Sequence, residues 1–188
     1  EDDEAFFGLI PRVRTDRDGN FYVLDSQLCQ VSVYDRDGEF LRTLFREGEG
    51  PGEVHDPRDV ILLPDGRVAV AVDFPGKLVT VHADGDPGGT IMIHDENSGK
   101  GFTSLNGAFA KGGHVLLTGV HSKRVDNPAL RERTNFVTTY GLDGGELVNY
   151  HNQVCFYDFE NFVFAESEHL APTWYNTAID ADGRVYVA

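Results

Sequence analysis

Four polar residues stand at one recurring place in this chain: Arg12, Asp59, Asn106 and Asn176, at steps of 47, 47 and 70 residues. Each interrupts a largely apolar stretch. An aspartate and two asparagines on neighbouring segments offer convergent oxygen atoms, the donor type that a hard cation such as Ca2+ takes. Asp59, Asn106 and Asn176 are therefore candidate metal ligands. Arg12 opposes a metal and is placed with the ligand-binding residues. The other reading of this set is that the polar groups cap strand ends and hydrogen-bond to water.

A second concentration is basic. The stretch HSKRVDNPALRERT, residues 121–134, holds Lys123, Arg124, Arg131 and Arg133 in a chain of net charge -15. Such a group suits docking of a carboxylate, sulfate or phosphate, or else forms a solvated loop paired with acidic neighbours. A third stretch, HNQVCFYDFENFVFAESEHLAPTWY, is aromatic and contains Trp174. Loop aromatics line pockets and partner interfaces, or plug a gap between structural units. The seven histidines show neither HxxxH nor HExxH spacing, and no nucleophile elbow is recognisable. Gly48, Gly50 and Gly52 lack the Lys-Ser/Thr pair of a phosphate loop and read as a linker.

Composition narrows the class. With 31 acidic against 16 basic residues, the surface repels phosphate backbones, which argues against nucleic-acid binding. A 40% hydrophobic share with 13 Phe and 7 Tyr supports a packed core. No stretch approaches the roughly 18 apolar residues of a membrane span. Cys29 and Cys155 lie in no metal spacing, and sequence leaves open whether they pair.

The elements that position these residues come from a repeat. Turn glycines precede apolar runs at Gly19, Gly66, Gly113 and Gly183, at steps of 47, 47 and 70. An interleaved set, Gly38, Gly85 and Gly144, steps by 47 and 59. One 47-residue unit thus recurs, with insertions at 121–134 and 152–173. Each unit reads as four strands: 10–16, 20–25, 29–35 and 39–45 in the first; 57–63, 67–73, 77–83 and 88–94 in the second; 104–111, 113–120, 134–141 and 145–151 in the third. A fourth unit begins with 174–180 and 184–188. The second strands are apolar without alternation, so each sheet is covered on both faces. Radially packed four-stranded blades achieve that.

The fold class is accordingly all-β: a β-propeller of four-stranded antiparallel blades, six-bladed when complete. Blade one covers about 10–45, blade two 57–94, blade three 104–151 and a partial blade four 174–188. Six units need about 282 residues, so the expectation is that further sequence, or less readily a second chain, completes the ring. The short Asp-Gly hairpins fall on one face of the ring. The insertions and the linker 46–56 fall on the other, the long-loop face, where function is expected.

The stretch GEGPGEVHDPRDVILLPDGRVAVA, with DRDGNFYVLD, YDRDGEFLRTL and DADGRVYVA, resembles the NHL-repeat propellers. That family hosts many functions. LNGAFA and YNTAIDADGRVYVA are similar to the asparagine-bearing strands of gluconolactonase-like propellers, in which these positions help bind a divalent metal that activates water. That resemblance implies Asp59, Asn106 and Asn176 as ligands, whereas Arg12 departs from its acidic first-blade position. Two functions follow as expectations. One is an exported bacterial binding module, periplasmic or extracellular, holding a protein, peptide or glycan at the long-loop face. The other is a divalent-metal-dependent hydrolase or lyase at the channel mouth.

Overall fold

The computed structural model describes residues 6–93, 101–127, 130–158, 163–166, 177–179 and 184–187. Blade one is the sheet β1 (Arg12–Thr15), β2 (Phe21–Asp25), β3 (Gln30–Tyr34) and β4 (Phe40–Leu44). A short parallel pair, β5 (Arg46–Glu47) and β6 (Glu53–Val54), ties the linker. Blade two is β7 (Pro57–Leu62), β8 (Val68–Val72), β9 (Lys77–Val81) and β10 (Pro87–Met92). Blade three has five strands: β11 (Gly101–Lys111), β12 (His114–Arg124), β13 (Leu130–Gly141), β14 (Glu146–Asp158) and β15 (Val163–Glu166). A two-stranded sheet, β16 (Thr177–Ile179) and β17 (Val185–Val187), follows. Every pairing within the blades is antiparallel.

The VAVAV sequence of β8 shows how blades stack. Successive side chains leave a strand on opposite faces. Val68, Val70 and Val72 pack toward blade one with Leu24, Val31 and Val33. Ala69 and Ala71 face blade three, where the larger Leu105, Leu117, Phe136 and Tyr140 fill the space. All five residues of β8 are buried, as continuous apolarity requires. Each fully buried valine contributes roughly 1.5 kcal/mol or more of transfer free energy.

The repeated turns are built alike. Gly19, Gly38, Gly66, Gly85, Gly113 and Gly144 have φ between 86 and 97°, where an L side chain is strained. In the blade-one hairpins an earlier aspartate closes the loop. Asp16 Oδ1 accepts the Asp18 and Asn20 N–H groups at 2.9 Å each, and Asp35 Oδ1 accepts those of Asp37 and Glu39 at 2.9 Å.

Blade three corrects the sequence reading. Of the stretches expected as long loops, 121–134 and 152–173, the residues 121–124, 130–134, 152–158 and 163–166 are strand. Counterparts of β8 and β9 in blade three end at the Gly119–Phe136 pair, matching Val72–Lys77 in blade two. Beyond that pair β12 continues to Arg124 and β13 begins at Leu130, with β11, β14 and β15 alongside. The turn between β12 and β13 closes through Leu130 N–H to the Asn127 carbonyl at 3.0 Å. The extension adds five residues to β12, about 17 Å at the usual rise per residue. It forms a five-stranded wall on the long-loop face. The added parts of β12 and β13 are mostly polar, so no apolar run announces them, and the added part of β14 falls in the aromatic stretch that the sequence reading took as loop.

Candidate functional site

At the ring position β1 supplies Arg12 and Arg14, two residues apart and so on one face of the strand. β7 supplies Asp59, which is fully buried. Arg14 NH2 donates to Asp59 Oδ1 at 3.0 Å and Oδ2 at 3.1 Å, and Arg14 Nε donates to the Val60 carbonyl at 3.1 Å. Arg12 Nε lies 3.1 Å from Asp59 Oδ1, but its N–H is misdirected, so this is an ion pair without a hydrogen bond. Blade three joins through its backbone: Ala108 N–H donates to Asp59 Oδ2 at 3.1 Å, and the Ala108 carbonyl accepts from Arg14 NH2 at 3.2 Å. Val60 N–H adds a 2.8 Å bond to Oδ1. The Arg14 guanidinium also lies over the Phe109 ring at 5.2 Å.

Burial pushes the Asp59 carboxyl above its ordinary range, against the attraction of Arg14 and Arg12 and the N–H groups of Ala108 and Val60. Burial likewise lowers Arg14 despite Asp59. In both partners desolvation outweighs attraction, the usual balance of a buried ion pair. The cluster clasps three blades together. It is not an open set of oxygen ligands.

Asn106 does not occupy the expected place. The hairpin between β11 and β12 is the two-residue turn Gly112–Gly113, from Lys111 to His114, where the first two blades use five residues between the paired ends. Aligning the turn glycines therefore aligns the second strands and misplaces the first by one residue. Asp59 pairs with Ala71, and its counterpart opposite Thr118 is Gly107. Asn106 is the extra residue of a β-bulge and is exposed. A Cβ on Gly107 would stand 3.8 Å from Asp59 Oδ2, so the small residue lets the β11 backbone approach the carboxylate. Asn176 and Trp174 lie outside the described residues. Among the described residues no group of three or more His, Cys, Asp or Glu is placed to hold a metal ion. Cys29 and Cys155 are separate buried thiols.

The structure splits the basic cluster across the wall. Paired residues on adjacent strands share a face. Phe102, Ser122, Arg133 and Cys155 form one row, and Arg124, Arg131 and Tyr157 the next row on the same face. Lys123 is on the opposite face, in a 2.8 Å ion pair with Glu132. Arg124 is exposed. Arg131 and Arg133, with Phe102, Val120, Ser122 and Tyr157, line a groove of about 350 Å³. The Arg133 guanidinium lies over the Tyr157 ring at 5.5 Å, and its buried Nε has no hydrogen-bond partner among the described residues. Burial, reinforced by neighbouring Cys155, raises the Tyr157 phenol despite Arg133. The phenol therefore carries no negative charge at neutral pH. The opposite face has a more polar groove of about 250 Å³, lined by His121, Lys123, Glu132, Thr134 and Asn152 among others. There His121 Nδ1 is 2.9 Å from Thr103 Oγ1, and its ring stacks on Phe136 at 4.2 Å.

Sequence reasoning missed Arg14, Phe102, Ser122 and Tyr157. Arg14 had a signal, since it repeats Arg12 at the strand period. Ser122 and Tyr157 stand inside the basic and aromatic stretches, but only the wall's register brings them to one face with Phe102.

Stacked four-stranded antiparallel sheets with apolar interfaces define a β-propeller. The chain belongs to the DUF5128 family of 6-bladed beta-propellers, whose model matches residues 2–105. No curated protein sequence matches it. Among solved structures it is similar to a virginiamycin B lyase from Staphylococcus aureus, at 12% identity and a TM-score of 0.45, over 93% of this chain and 61% of that one. It is also similar to a streptogramin B lyase, at 10% identity and a TM-score of 0.42, over 94% and 74% of the two chains. The chain thus spans less than two thirds of the length of the first.

Proposed function

We propose that this propeller is a binding module that holds a protein, peptide or glycan on its long-loop face, against the wall of blade three. The observation that carries the reading is the five-stranded extension of β11 to β15 beyond the height of the other blades, with a groove on each side. Extra structure raised on a rigid scaffold is where recognition concentrates. An exported location, periplasmic or extracellular, belongs to the same reading. A metal-dependent hydrolase or lyase at the channel mouth would need the Asp59 oxygens, which Arg12, Arg14 and two N–H groups already engage. The binding reading meets no such conflict.

The test is a peptide and glycan array probed with the labelled protein and with a shortened variant. In that variant residues 120–135 are replaced by Asp-Phe-Pro-Gly, the turn blade two uses between β8 and β9. Retained folding by circular dichroism with lost array signals is the expected result. Signals that survive shortening would place binding elsewhere, and an array without any signal above a control propeller would count against a binding module of this kind.

A further inference from the structure

We infer that the basic groove of the wall is a site for a small organic carboxylate carrying an apolar or aromatic body. This rests on the binding-module reading and specifies its ligand chemistry. The groove's volume of about 350 Å³ is that of a small-molecule site. Its chemistry is divided. Phe102, Val120 and the Tyr157 ring supply apolar surface, while Arg131 and Arg133 supply two guanidinium groups and Ser122 a hydroxyl.

Three features select an anion. No acidic side chain lines the groove among the described residues. Glu132, between the two arginines in sequence, is on the opposite face and paired with Lys123. Asp73, at the groove's edge, is engaged by Ser104 and Arg58, and Glu166 stands in register with Cys155, one strand beyond the Arg133 row. Tyr157 is uncharged at physiological pH, as a phenol ordinarily is, and burial raises it further. Arg133 also brings an N–H donor, Nε, that is buried without a partner among the described residues. An unsatisfied buried donor is costly, and the side chain that carries it is one that lines the groove. Planar guanidinium suits a carboxylate, and the flanking aromatic surface suits an apolar body attached to it. The wall is separate from the Asp59 clasp, so the site makes no demand on that ion pair.

The experiment is calorimetric titration of the full chain with three probes: 4-phenylbutyrate, its neutral amide, and acetate. The carboxylate with its apolar body binds in the submillimolar range, and loss of either the charge or the body weakens binding by about tenfold or more. Arg133→Gln and Arg131→Gln each weaken 4-phenylbutyrate by about tenfold, with melting temperature as the check on folding. Arg17→Gln, on the exposed hairpin between β1 and β2 of blade one, leaves binding unchanged. Equal binding of acid and amide, indifference to Arg133→Gln in a folded variant, or no binding of 4-phenylbutyrate would each overturn the inference. Array signals that need the wall but ignore both arginines would leave the binding module standing and remove only this site.

Discussion

Asp25 and Asp59 are both buried carboxylates whose surroundings push them in opposite directions. Burial alone would raise Asp25, but the backbone N–H groups of Gly8, Leu28, Leu9 and Gln27 hold it below the ordinary range. Its ionised form is thus favoured by folding. That stability is present above the unfolded value and disappears as pH falls through the lowered folded value. Asp25→Asn should cost about 1–3 kcal/mol at neutral pH. The gap from wild type in urea denaturation should shrink as pH falls below the ordinary aspartate range, and an undiminished gap would mean the charge is irrelevant. For Asp59 the sign reverses. Its folded value lies above the unfolded one, so its contribution weakens as pH rises between the two. Yet removing the carboxylate strands Arg14 and the Ala108 and Val60 N–H groups. Asp59→Ala should cost about 3–5 kcal/mol. Because desolvation weighs on both partners, Arg14→Met with Asp59→Asn should cost well below the sum of the single changes. Additive losses in a double-mutant cycle would show that the two side chains do not act as a pair.

The wall of blade three depends on one glycine at its base. Gly119 pairs with Phe136 and Leu105 at the last level shared with the other blades. A Cβ there would collide with the Ser104 carbonyl and stand 2.8 Å from the Phe136 ring. Backbone and a buried ring cannot both yield, so Gly119→Ala should destabilise by about 2–3 kcal/mol. Hydrogen exchange should show lost protection in β11 and β12 above residue 119, with blade one unaffected. Uniform protection would mean that the sheet absorbs the methyl group. This element also marks where the sequence stopped being legible. Blades one and two were readable because apolar runs end at Asp-Gly turns at a constant spacing. The wall was not, since the added parts of β12 and β13 are mostly polar and look like loop, and the aromatic stretch that supplies β14 follows no repeat spacing. The displacement of Asn106 has a similar cause. A two-residue turn slides the first strand by one residue, and with a side-chain period of two a slip of one reverses the face. Asp16 and Asp35 were overlooked for a simpler reason: the glycine announces the turn, while the aspartate that closes it stands earlier.

Across the whole molecule, the arrangement of charge decides whether an ion belongs at the centre. The net charge of -15 would favour any cation in the abstract. At the ring position, however, the buried carboxylate already faces two guanidinium groups, and both its oxygens accept hydrogen bonds. A calcium ion would have to displace Arg14 from Asp59, the Val60 carbonyl and the Ala108 carbonyl together, and then tolerate Arg12 at close range. In the thermal melt, EDTA should therefore leave the midpoint unchanged, and added calcium should raise it by no more than about 1 °C of general salt effect. A fall of several degrees that calcium reverses would overturn this, because only a native-state site couples metal to stability in that way. Asp59→Asn would then locate the ion. Loss of the calcium effect in that variant would place the ion on the clasp, and its persistence would place it on another part of the ring.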